Sequence, residues 1–306
     1  MKAVPVVALI VFALSSRAGD KFEIHRTSAN VVVKNPDGMD VVGYQLARPA
    51  ESKLSVDSAC YFHPVATPKG VVISDVAPPD HLHHRGVFLA WVEMHGKQDA
   101  DFWGWGEHAP KKGRTIVNRE ITGLESNETG AGFRGRNEWL ADMNPVLSEQ
   151  LQAGVRTEGP ATVLDVTYRL TAKDDVTLSR WAFSGFCLRV RKDGKLEAEG
   201  PDGPVKLPNP KHTEPASDWP AAPWYAYNLT LPDGTVAGAA VIDHPKNPPS
   251  LWHNHRDVRM LNPCIVALAA VQMKAGIPLV LRYRVLVYDG AAPRELLNSL
   301  AMKWEG

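Results

Sequence analysis

The chain has 306 residues with 34 basic and 34 acidic side chains, a balance without basic clusters that argues against nucleic acid and anionic membrane surfaces as partners. Its three cysteines, Cys60, Cys187 and Cys264, are odd in number and widely spaced among apolar or aromatic neighbours. No disulfide framework or Cys-x-x-Cys site is read from them, and each is expected to be a small buried hydrophobe.

In chain order, residues 1–18 have the layout of a secretory signal peptide. Lys2 supplies the positive start, 4–14 is an apolar run broken only by Pro5, and Ser16-Arg17-Ala18 sets small residues at the cleavage positions. That run is about half of the roughly 20 residues a spanning helix needs, so export to a periplasm or beyond is expected, with no stable membrane insertion after cleavage. Removing Lys2 and Arg17 leaves 32 basic and 34 acidic residues.

Short alternating or β-branched runs then recur between Gly, Pro and Asp punctuation. They lie at 30–34, 70–74, 87–94, 115–121, 162–170, 176–181, 186–190, 224–231, 236–242, 264–273 and 279–288. In the last, Leu281, Tyr283, Val285 and Val287 share one face. Asp193-Gly194 and Asp233-Gly234 read as tight turns, and 199–223, rich in Pro, Asp and Lys, as a long surface loop. One closing helix is expected at 294–303 after Pro293, where Leu296, Leu297 and Leu300 share a face. The pattern predicts an all-β fold, a large twisted antiparallel β-sandwich or barrel with few helices, in a single domain over 19–306.

Three polar clusters stand out. The first is Asp80-His81-Leu82-His83-His84-Arg85-Gly86, directly before an apolar strand. If the strand extends back, His81, His83 and Arg85 share one face and His84 takes the other, and neutral imidazoles suit either metal ligation or acid–base work. The second, Asp101-Phe102-Trp103-Gly104-Trp105-Gly106-Glu107-His108, is read as an aromatic platform flanked by carboxylates, a surface on which sugars stack. The third begins where the 236–242 strand ends, with Asp243, His244 and Asn247 among prolines, then Trp252, His253, His255 and Arg256. His25, His63, His95 and His212 lack polar company in sequence and are expected to be structural. Phosphate-loop, Gly-x-Ser-x-Gly and His-Glu-x-x-His patterns are missing, which disfavours nucleotide, serine-hydrolase and metalloprotease chemistry.

The order of these motifs resembles a known family. Tyr61-Phe62-His63-Pro64-Val65, the 80–86 cluster, Asp101-Phe102-Trp103, Asp243-His244-Pro245-Lys246-Asn247-Pro248 with Trp252 and Arg256, and Tyr283-Arg284-Val285 to Asp289-Gly290 are similar to the bacterial family labelled "methane oxygenase PmoA", also described as a domain of unknown function. The sequence departs from that pattern at Leu82, where proline is expected, and at Asn118, where histidine is expected. The resemblance implies a galactose-mutarotase-like β-sandwich. Methane oxidation is not carried over with the label, because the membrane subunit of methane monooxygenase needs several spanning helices.

The leading expectation is an exported carbohydrate-active enzyme acting on a sugar or glycoside by His-mediated proton transfer, as an epimerase, lyase or hydrolase. His83 or His84 and His244 are expected as acid and base, with Arg85 stabilising oxyanion charge. Trp103 and Trp252 would stack on the sugar, while Asp80, Asp101, Glu107, Asp243, Asn247 and Arg256 hold its hydroxyls. Two alternatives stay open. One is an oxidoreductase holding a single divalent transition metal (copper, iron or zinc) on His81, His83 and His255 or His244; the other is a non-catalytic carbohydrate-binding module.

Overall fold

In the computed structural model, Gly19 and residues 21–304 are described, so the segment read as a signal peptide lies outside the described residues. Two large antiparallel sheets dominate. The first has seven strands in the order Glu23–Arg26, Asn30–Lys34, Asp40–Gln45, Tyr61–Val65, Val87–Ala90, Gly185–Arg189 and Met260–Leu261. The second has nine: Gly203–Pro204, Lys195–Gly200, Trp224–Thr230, Val236–Asp243, Pro278–Asp289, Ala161–Ala172, Asn144–Glu158, Ala131–Ala141 and Arg114–Ser126. The expected all-β sandwich is therefore the observed one.

Alternation along the strands builds the core, because successive side chains point to opposite sheet faces. In Ala131–Ala141, Phe133 and Trp139 face inward while Arg134 and Arg136 face out; in Pro278–Asp289, Leu281, Tyr283, Val285 and Val287 are fully buried. The inward faces meet through aromatic pairs. Phe186 of the seven-stranded sheet stacks on Tyr283 of the nine-stranded one at 4.1 Å, and Tyr44 meets Phe133 at 5.4 Å. Each such pair adds about 1 kcal/mol beyond the area it buries. The helix Arg294–Met302 closes one end of the nine-stranded sheet's outer face, setting Leu297 and Leu300 on Val163, Trp224 and Leu286.

Several sequence expectations need correction. Residues 70–74 form only isolated bridges, the 87–94 run divides into Val87–Ala90 and Met94–His95, and 264–273 divides into Pro263–Cys264 and Val271–Met273. Asn144–Glu158, the longest strand among the described residues, and its neighbour Ala131–Ala141 lie where the sequence pattern predicts no strand. The 199–223 segment is more than a surface loop: it places Trp219 in the core, bridged to Trp252, and buries the Asp218 carboxylate. All three cysteines are buried and free, as expected.

Candidate active site

The 80–86 segment is a turn rather than a strand extension. Ala77 N and His84 N bond to His84 O and His81 O, and Gly86, at φ +62°, has no room for a side chain: a Cβ there would lie 2.1 Å from the Phe62 carbonyl oxygen. The tight turn gathers His81, His83 and His84 instead of alternating them, with ring centroids 4.7–5.6 Å apart. Arg189, leaving the neighbouring strand, holds the group from behind: one amino group lies 3.2 Å from His84 Nδ1 and the other 3.1 Å from Asp80. Asp80 also takes His81 Nδ1 at 2.9 Å and Lys192 Nζ at 2.8 Å. Lys192, His81 and Arg189 hold its carboxyl well below the usual range, although burial opposes them.

Facing this trio across a small cavity is His212, which the sequence reading set aside as structural. Its Nδ1 lies 3.1 Å from His253 Nε2, and His253 Nδ1 lies 2.6 Å from Asp218 Oδ1, with both partners of that last pair fully buried. His255 stacks on His212 at 5.2 Å. Asp218, His253 and His212 thus form a hydrogen-bonded relay from the core to the cavity wall. Trp105 bridges the two sides, 6.2 Å from His83 and 5.9 Å from His212, and Trp103, Phe183, Val258 and Met260 complete the lining. The cavity is about 10 Å³, room for a single water. Three polar atoms around it, His83 Nε2, Trp103 Nε1 and Trp105 Nε1, are buried without a protein partner.

Burial sets the electrostatics. It lowers His83 and His253 to about 3 and His212 and His255 to about 4, with neighbouring imidazoles and cations adding to the shift at 83, 212 and 255. These rings are therefore neutral at physiological pH. Burial also raises Asp218 to about 8. The relay consequently has two neutral-imidazole states. With Asp218 protonated, it donates to His253 Nδ1, His253 Nε2–H donates to His212 Nδ1, and His212 Nε2 carries the proton. With Asp218 ionised, every donor reverses and His212 Nε2 offers a lone pair.

Other expected site residues lie elsewhere or are committed. The buried Arg85 guanidinium donates to the carbonyls of His83, Phe102 and Trp103 and stacks on Phe88, so it ties two turns together rather than facing a reacting oxyanion. Asp101 accepts the backbone N–H groups of Gly104 and Gly106 and so shapes the Trp103–Trp105 turn. Glu107 is exposed beside His108. Asp243 accepts from Asn247 and Ser250, which fixes the 243–250 loop. His244 packs on Trp304 and is not gathered with His83. Trp252 is fully buried against Tyr225 and presents no stacking face, and Arg256 donates to the carbonyls of Val205 and Leu207. Trp103 lines the cavity but is fully buried, and Trp105 is the partly exposed ring. Among the described residues, no group of three or more His, Cys, Asp or Glu side chains is placed to hold a metal ion, the trio His81, His83 and His255 included.

Residues 32–302 match the model of a family of unknown function, DUF6807. The chain belongs to that family. This corrects the methane-oxygenase likeness drawn from the motifs. Searched by sequence, curated proteins give no match. Solved structures similar to this chain include a GH36 α-galactosidase from Geobacillus stearothermophilus, at 9% identity and TM-score 0.40, covering 88% of this chain and 40% of the other. A Synechocystis sp. PCC 6803 protein matches at 10% identity and TM-score 0.41, covering 91% and 100%. A galactose mutarotase related enzyme from Lactobacillus acidophilus matches at 7% identity and TM-score 0.38, covering 89% and 98%. The chain thus spans about two-fifths of the α-galactosidase.

Proposed function

We propose that the chain is an enzyme acting on a small, hydroxyl-rich molecule of the sugar class by proton transfer between imidazoles in this cavity. The observation that carries the reading is the Asp218–His253–His212 relay, which ends opposite His83 in a pocket whose remaining polar atoms have no protein partner. A buried polar atom without a partner costs about 1–3 kcal/mol, and three such atoms converge on this one cavity, where a ligand's hydroxyls would satisfy them. The indole N–H groups of Trp103 and Trp105 donate, His83 Nε2 accepts or donates according to its tautomer, and Trp105 offers an apolar edge to a sugar's C–H face. His212 is the acid or base that the relay switches, and His83 is its counterpart across the cavity. Epimerisation, elimination and glycoside hydrolysis each need such a pair.

The test is turnover of a panel of hexoses, uronates and nitrophenyl glycosides. The His212→Ala and His83→Ala variants should each lose at least a hundredfold in kcat/KM, the usual worth of a positioned acid or base. Activity unchanged in both variants overturns the assignment.

A further inference from the structure

The outer face of the nine-stranded sheet carries a second feature, distant in kind and position from the histidine cavity. The helix Arg294–Met302 covers only one end of that face. Beyond it, the register of five neighbouring strands lines up two polar cross-strand rows. One crosses Arg134, Gln152, Thr167 and Arg282; the next crosses Glu120, Arg136, Gln150 and Arg169. Together they line an open cavity of about 540 Å³ that shares no residue with the histidine pocket.

The charge in these two rows is largely uncompensated, whereas the rows on either side hold the ion pairs Arg119–Glu138 and Arg284–Asp165. Arg136 lies 3.4 Å from Glu120, but among the described residues Arg134, Arg169 and Arg282 have no ion-pair partner. Four guanidinium groups thus share one carboxylate. Like charges on one sheet face destabilise it, and here Gln and Thr on the intervening strands space them apart. The next row along the strands runs Gly132, Gly154, Asp165 and Arg284, where Asp165 is paired with Arg284 and with Arg156, and the two glycines line a separate hollow of about 270 Å³ with Glu125 and Arg156.

We infer that this trough binds an acidic oligosaccharide. The guanidinium fork matches a carboxylate or sulfate with two parallel hydrogen bonds, which a lysine ammonium does not reproduce. The Gln amides and Thr hydroxyl, set between the arginines, meet the hydroxyls of the intervening sugar rings. No aromatic ring lines the trough, so neither a base nor a sugar ring stacks there and recognition rests on the guanidinium, amide and hydroxyl groups. The site is independent of the reaction proposed for the cavity.

Fluorescence anisotropy with four labelled probes tests it: an oligogalacturonate, a sulfated dextran oligomer, a neutral malto-oligosaccharide and a single-stranded DNA. The proteins are the wild type, an Arg134→Gln/Arg169→Gln/Arg282→Gln triple variant and a His83→Ala/His212→Ala double variant. At least one acidic sugar probe should bind the wild type and bind the triple variant at least tenfold more weakly, while the double variant binds as the wild type does. The better of the two acidic probes names carboxylate or sulfate as the recognised group. If the triple variant unfolds at lower temperature, the exposed single changes Arg134→Gln and Arg169→Gln replace it, each expected to weaken binding about threefold. The proposal is overturned if neither acidic sugar binds, if the neutral probe or DNA binds as tightly, if the arginine variants keep full affinity, or if the pocket variant loses as much as they do.

Discussion

Asp218 is the residue on which the cavity's chemistry turns, because its proton decides which tautomer His212 presents. Burial raises it to about 8, so the base form of His212 accumulates only as pH rises through that value. A reaction that begins with proton abstraction by His212 should show kcat/KM rising with pH up to about 8. Asp218→Asn, which cannot ionise, should remove that limb of the profile while leaving the fold intact. A limb that persists in the variant excludes the relay as its source. Gly86 is decisive for a different reason: its positive φ and the Phe62 carbonyl leave no space for a methyl group. Gly86→Ala should fail to fold or melt far below the wild type in thermal denaturation. The sequence announced the histidines of the 80–86 turn by their density. It hid His212 and Asp218, which sit in a Pro- and Lys-rich stretch and acquire partners only in space, 41 and 35 residues from His253.

Two turns make the cavity, and one buried cation joins them. Arg85 holds the His83 carbonyl and those of Phe102 and Trp103, so the histidine turn and the tryptophan turn move as one unit. Arg85→Ala leaves three carbonyls short of a donor and a void beside Phe88. It should cost roughly 3 kcal/mol in urea denaturation and reduce turnover through misplacement of His83. The element scale also shows why two of the longest strands were illegible. In Asn144–Glu158 the inward positions run Leu147, Glu149, Leu151, Ala153 and Val155, and in Ala131–Ala141 they include Gly135 and Asn137. A charged residue and an amide on the core side break the apolar alternation that marks a strand. They are tolerated because Glu149 accepts both the Trp139 indole N–H and the Asn137 amide at 2.7 Å. By contrast, Pro278–Asp289, with four consecutive inward hydrophobes, was plain from sequence.

At the scale of the whole molecule, that same network makes stability depend on pH. Burial raises Glu149 to about 7 from 4.5, so the folded state favours its protonated form. The resulting stabilisation is complete below pH 4.5 and is lost as pH rises through 7. Glu149→Gln should therefore gain on the wild type between pH 4.5 and 7 in urea denaturation and run parallel to it above; a constant difference across that range contradicts the shift. The all-β class and the closing helix were readable from period and punctuation. The composition of each sheet face was not, because it follows from cross-strand register among distant segments.

The small size of the cavity has a kinetic consequence. With about 10 Å³ inside, no sugar enters until Trp105 or the segment bearing His212 and Asp218 moves aside. Apparent affinity is then the intrinsic affinity scaled by the fraction of molecules in the open form. If opening precedes binding, the observed association rate should level off with ligand concentration at the opening rate rather than climb linearly. Changes that loosen the segment, such as Trp219→Ala at its buried foot, should raise that plateau while weakening the hold on ligand once bound.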